Sequence, residues 1–214
     1  MRNGRIHMYR HVSSLNEPLW NGHYLASGYL GIMPVTKLEL FENRRHLRLA
    51  SVRYAHGTTR VFPIEDYLDR VRLVTTLKRS PDPIEAIEHI DLESTVVCDK
   101  SSEYGELTGP ILAESESVTL LTDENETMQI AVYVEYARIL VVSDSWSPYW
   151  EVEVDGKDRE LIPLFGKVMR GIVVHPEDRI VSMTYKPKPL YLGFALAILG
   201  IVIGLVYCLV MHRA

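Results

Sequence analysis

Apolar and polar positions follow a different rule in each stretch of the chain. In the second half they alternate or form short unbroken runs, which is the signature of strands. Ile139–Val142 is an unbroken, mostly β-branched run and suits a strand buried on both faces. Ser143, Asp144, Ser145, Ser147 and Pro148 are turn formers. Trp150, Val152 and Val154 then alternate with Glu151, Glu153 and Asp155, the period of a half-buried strand. Asp155-Gly156 is a hairpin signal, because both residue types tolerate positive φ. Further strands are expected at 117–122, 127–136, 159–163, 168–174 and 179–185, with turns at Phe-Gly and His-Pro-Glu-Asp. Short strands at this spacing predict an antiparallel β-sandwich over residues 117–185.

The first half is patterned differently. Residues 1–34 are irregular and rich in Gly, Tyr and His. Residues 35–100 read as a small α/β unit. A short helix is expected over Lys37–Leu49, strands at 49–55, 60–63, 71–77 and 95–98, and a helix over Pro81–Ile90. That second helix carries Asp82 as cap, Pro83 at the first position, Glu85 to complete a capping box, and an Ile84, Ile87, Ile90 stripe. Residues 101–116 form a polar connector.

The third pattern is at the end. After a Lys/Pro linker at 186–189, residues 190–211 contain no charged side chain. A stretch of 22 residues crosses a hydrocarbon core of about 30 Å at about 1.5 Å per residue. Tyr191 and Tyr207 near its ends match interfacial aromatics. Gly200 and Gly204 form a GxxxG, extended by Gly193 and Ala197, which permits close packing against a partner span. The expected fold is therefore α+β: a small α/β unit, an antiparallel β-sandwich and one C-terminal transmembrane helix, with the lipid bilayer as a partner. Flanking charge, Lys186 and Lys188 against Arg213, leans toward a cytoplasmic main domain by about one charge.

Charge narrows the partners. With 23 basic and 28 acidic residues the net charge is −5, which argues against a nucleic-acid binder. Cys98 and Cys208 do not make a disulfide framework. The N-terminus lacks an apolar segment, so no secretory signal is expected. The eight histidines show no metal-ligand spacing, and no phosphate loop or nucleophile motif is present, so neither cofactor, metal nor catalytic residue is assigned. Acidic pairs such as Glu151/Glu153 read as solvated faces. Trp146, Tyr149 and Trp150, with Asp144 at the end of the buried run, are the candidate carbohydrate contacts, since aromatic faces suit sugar rings. Their competing role is packing over the end of the sandwich.

The succession Leu140-Val-Val-Ser-Asp144, Pro148-Tyr-Trp150, Val154-Asp-Gly156, Arg170-Gly-Ile-Val-Val174 and Tyr185-Lys-Pro-Lys188 before an apolar helix resembles the C-terminal region of the YfhO family of bacterial polytopic membrane proteins. Val52-Arg-Tyr54 and Arg70-Val-Arg-Leu-Val74 resemble two earlier strands of that family. Two positions depart from its pattern: Tyr149 replaces a glycine, and His175-Pro-Glu-Asp178 replaces a Pro-x-Gly turn. The resemblance implies a relation to glycosyltransferases that use lipid-linked sugars. It also implies that the catalytic acid lies in a multi-span portion absent from this chain. The expectation is an extracytoplasmic accessory or binding domain, not a complete enzyme, working beside a multi-span membrane partner. A structural or adhesion-type surface domain is the alternative.

Overall fold

Strand Ile139–Val142 is the axis of the structure, and its two faces explain the layering. The computed structural model describes residues 43–56, 61–99, 105–124 and 126–213, plus two short strands, β1 (Arg5–Met8) and β2 (Tyr24–Leu25). Those two strands fall in the segment expected to be irregular. They join β3 (Val52–His56) and β4 (Val61–Pro63) in a four-stranded sheet. The helix expected over Lys37–Leu49 is described only as α1 (Arg44–Leu49); its earlier residues lie outside the described set. Asn43 caps α1, its side chain accepting from the Arg45 and His46 amides.

The main body pairs two sheets. The larger has the order β5 (Val71–Val74), β11 (Arg138–Val142), β15 (Met169–Val174), β14 (Ile162–Leu164), β7 (Thr95–Asp99), β6 (Thr76–Ser80), β8 (Leu107–Thr108). The smaller has the order β13 (Lys157–Arg159), β12 (Trp150–Val154), β16 (Ile180–Tyr185), β10 (Thr127–Tyr133), β9 (Ser117–Asp123). Every pairing in the smaller sheet is antiparallel. The sandwich expected within 117–185 thus draws strands from both sides of the 101–116 connector, because β5 pairs with β11.

A single strand was expected over 71–77. The chain instead changes partners at Thr75, where the amides of Thr75 and Thr76 both bond to the Ser94 carbonyl. β5 goes on to pair antiparallel with β11, while β6 pairs parallel with β7. β5 and β6 are one residue apart in sequence, yet most of the strand order separates them. The large sheet must therefore curl until its two ends meet. The parallel β6–β7 connection runs through residues 81–94. The helix expected there is only a 3₁₀ turn, Glu85–Glu88. Its N-cap position is Ile84, which makes no side-chain cap bond. Asp82 accepts from the Ile84 and Glu85 amides just before it, but the expected capping box does not close, because the Asp82 amide donates to the Ser80 hydroxyl. Asp91 then captures the Glu93 amide and the Ser94 hydroxyl, which starts a new turn and stops the helix.

Two cores result. Leu73, Leu140, Val142, Ile172 and Val174 of the large sheet pack on Met128, Ile130, Val132, Val152, Val154, Val181 and Met183 of the small one. Val74, Ile139 and Val141 face the other way, onto Leu77, Ile87, Leu92, Val97 and Phe165. This is why Ile139–Val142 carries no polar position: all four side chains are fully buried. At the start of β11, Arg138 is buried against Glu116 in a two-pronged ion pair at 2.8 and 2.7 Å. The hairpin after β12 has φ of 50° at Asp155 and 75° at Gly156, as the Asp-Gly pair requires. The segment expected at 159–163 divides between the two sheets, as β13 and β14.

The chain ends in α2 (Lys188–Arg213), a helix of 26 residues that is long and apolar enough to cross a membrane. Leu190, Phe194, Leu199, Ile201 and Ile203 on it are all more than half exposed. A methyl group added at Gly193, Gly200 or Gly204 would meet nothing within 4 Å, so the glycine face of the helix is open.

Candidate functional site

β11 runs from the core directly into the Ser143–Ser147 turn, and that turn closes one end of the sandwich. The Ser143 amide donates to the Arg70 carbonyl, which holds the turn beside the start of β5. The end of β9 brings Asp123, the start of β15 brings Arg170, and the start of β12 brings Trp150. Arg70, Asp123, Glu124, Met128, Asp144, Ser145, Trp150 and Arg170 line a cleft of about 240 Å³.

Asp144 is the hub. Arg70 grips it with two prongs, Nε to Oδ1 at 3.1 Å and Nη2 to Oδ2 at 2.9 Å. Arg170 Nη2 donates to the same Oδ2 at 3.0 Å. Arg70 Nη1 reaches across to Asp123, so the two sheets are tied together at this end. Arg170 is 2% exposed and sits over Trp150, its guanidinium carbon 3.9 Å from the ring centroid. Burial, and to a lesser extent the like charge of Arg70, lowers its pKa to about 9. Its Nε and Nη1 are buried and find no hydrogen-bond partner among the described residues. Glu124 accepts from the Thr127 hydroxyl and, among the described residues, from no arginine.

The four candidate carbohydrate contacts are thereby separated. Asp144 and Trp150 line the cleft. Trp146 turns to the β14 side, where its indole N–H donates to the Leu161 carbonyl and Lys167 sits 5.2 Å from its ring. Tyr149 packs edge-on against Tyr185 at 6.3 Å, and Trp150 meets the same ring at 5.2 Å. Trp150 packs on the edge of the inter-sheet core and stays half-buried. The Glu151 carboxylate of β12 pairs with Lys186 at 2.7 Å.

Sequence reasoning missed Arg70, Asp123, Glu124, Ser145 and Arg170. A signal for Arg170 was present: a lone arginine at a core-facing position of an otherwise apolar strand needs an acidic partner. Nothing in the sequence named that partner, because Asp144 is 26 residues away from Arg170 and 74 from Arg70.

Glycoside chemistry needs two carboxylates free to act as acid and as base or nucleophile. Here Asp144 and Asp123 both serve arginines, which leaves Glu124 without a partner for that work. The lining, two guanidiniums with three carboxylates, offers donors and acceptors for a neutral polyhydroxyl ligand. Such a ligand does not bring an uncompensated charge into a half-buried site. Among the described residues no group of three His, Cys, Asp or Glu side chains is placed to hold a metal ion.

Fold and site together define a class: an α+β domain with a sandwich core, an apolar C-terminal helix, and a mixed-charge cleft at the end of the sandwich from which that helix leaves. No family model matches the chain, and no curated protein or solved structure does either.

Proposed function

We propose that this chain is a membrane-anchored, extracytoplasmic accessory domain that binds sugar headgroups of lipid-linked carriers and supports their transfer to cell-surface polymers. One observation carries the reading. Trp150 lines the cleft and stands opposite Tyr185 on β16, and α2 begins three residues later at Lys188. A polar cleft and an apolar helix therefore share one end of the domain. In this reading α2 spans the bilayer, and a multi-span partner packs on its open Gly193, Ala197, Gly200 and Gly204 face. The cleft volume equals about eight water molecules at roughly 30 Å³ each, the scale of one sugar ring. The YfhO-like succession of motifs supports the same reading.

One feature favours the alternative, a structural or adhesion-type domain. Asp144 is engaged by both arginines, as it would be in a clasp that serves only to close the sandwich. Ser145→Trp separates the two readings. Ser145 is exposed at the rim, so the substitution fills the cleft without touching the ion network. Glycan-array capture of the purified chain is expected, and Ser145→Trp is expected to abolish it with an unchanged circular dichroism spectrum. A wild-type chain that captures no glycan leaves the structural reading.

A further inference from the structure

The link between sandwich and α2 is too short to let them separate. Strand β16 ends at Tyr185 and α2 starts at Lys188, so only Lys186 and Pro187 intervene. Three residues reach at most about 11 Å when fully extended, and the two helical residues to Leu190 add about 3 Å. The link is not extended. Lys188 N–H donates to the Lys186 carbonyl and Leu190 N–H to the Pro187 carbonyl, which coils it into a turn. The Ser147–Trp150 loop is fastened to the same point, because the Lys186 amide donates to the Tyr149 carbonyl at 2.7 Å. Tyr149, Trp150 and Tyr185 form one aromatic group there, flanked by exposed Pro148 and by Lys188, whose side chain is 80% exposed.

We infer that the Pro148–Tyr149 loop and Tyr185–Lys188 form a bilayer-contact surface, seated in the lipid headgroup layer of the leaflet where α2 enters. The inference rests on the span proposed above. The physical reason is distance. The headgroup layer is roughly 5–8 Å deep on each side. Tyr185, the root of the aromatic group, could stand at most about 14 Å from the first apolar residue of the span if the link were extended, and the coiled link holds it well inside that limit. Tyrosine and lysine suit that layer, with an apolar body toward the acyl chains and a polar tip in water. A consequence concerns the ligand. Trp150 belongs both to this surface and to the cleft, so the cleft opens at headgroup height. It meets groups carried by lipids of its own leaflet before it meets sugars free in solution.

The test uses the unmodified full chain, isotope-labelled, in phosphatidylcholine nanodiscs. One sample carries lipid with a nitroxide on the headgroup and another carries the nitroxide deep in the acyl chain. The headgroup label is expected to erase the amide signals of Ser147, Tyr149 and Tyr185 and to leave those of Gly156 and Glu177, at the far ends of β12 and β16, at full intensity. The acyl label is expected to erase Leu199. If Leu199 is erased but Ser147 and Tyr149 keep the intensity of Glu177, the contact surface is overturned while the span stands. If Leu199 also survives, α2 does not span and both readings fall.

Discussion

Trp150 and Tyr185 face each other across β12 and β16 with ring centroids 5.2 Å apart, and Arg170 covers the indole at 3.9 Å. The stack ties the end of the inter-sheet core to the root of α2. Trp150→Ala removes the indole from both neighbours and exposes the buried Arg170 guanidinium. A loss of about 2–4 kcal/mol is expected, the lower end reflecting the half-exposed ring. Trp150→Phe keeps a ring in place and is expected to lose less than half as much. Urea denaturation of the two variants checks the order.

Arg138 and Arg72 are both buried, but they are not satisfied alike. Arg138 donates to both Glu116 oxygens and to the Pro110 carbonyl. Arg72 donates to Ser143 and to the Asp69 carbonyl, while its Nε and Nη2 find no partner among the described residues and burial lowers its pKa to about 10. Arg138→Met leaves the Glu116 carboxylate with the Ala113 and Glu135 amides alone and is expected to cost about 3 kcal/mol. Arg72→Met strands no charge, and the unpaired donors disappear with the guanidinium. It is expected to lie within about 1 kcal/mol of wild type, in either direction. Equal losses in denaturant midpoint would contradict this division.

The same pair sets an acid limit. Hydrogen bonds from Arg138 hold the Glu116 carboxyl at about 2, against 4.5 ordinarily. The unfolded chain thus binds this proton more tightly than the folded one does. The stabilisation is fully present above about pH 4.5 and fades as pH falls toward 2. Unfolding free energies measured from pH 6 down to 2 should fall steeply in that window for wild type. The fall should be shallower for Glu116→Gln, which starts from a lower stability.

Gly171 of β15 is needed for close approach and not for its backbone angles. A Cβ there would stand 2.7 Å from Leu164 Cδ1 and 3.3 Å from Ile139 Cγ2, both in the fully buried core. Gly171→Ala is expected to destabilise by about 1–3 kcal/mol through overpacking. Adding Leu164→Ala should recover part of that loss, so that the double variant is less destabilised than the sum of the two single ones. Thermal denaturation of the four-member cycle measures the coupling.

The strand pattern was legible wherever burial is imposed by alternation. β10, β12 and β16 fall within a residue or a few of their expected places because they alternate, so side-chain period and sheet face are locked together. β11 and β15 were legible instead as short apolar runs buried on both faces. Positions 71–77 and 159–163 were read as single strands and are each shared between two pairings. Local sequence carries no record of where a strand changes partner, and the Ser94 carbonyl that receives Thr75 and Thr76 is remote. The helix expected over Pro81–Ile90 shrinks to a 3₁₀ turn because Asp91 offers the backbone a competing turn. Of the four proposed contacts, the turn formers placed Asp144 at a strand end and alternation placed Trp150 at the core edge. The direction of Trp146 depended on the Leu161 carbonyl of another hairpin.

What the sequence by itself determined is what depends on near neighbours: the doubly buried run Ile139–Val142, the Asp155-Gly156 hairpin and the apolar α2. Period, φ preference and length are properties of a few consecutive residues. Tertiary structure decided the curl of the large sheet, its union of strands from both halves of the chain, and the choice of Arg70, Arg170 and Asp123 as the company of Asp144. An ion pair gains its energy from spatial proximity, and a charge buried at the end of a strand takes whichever opposite charge the fold delivers there. The cleft exists because four strand ends converge on one turn, a coincidence in space that no stretch of the chain encodes alone.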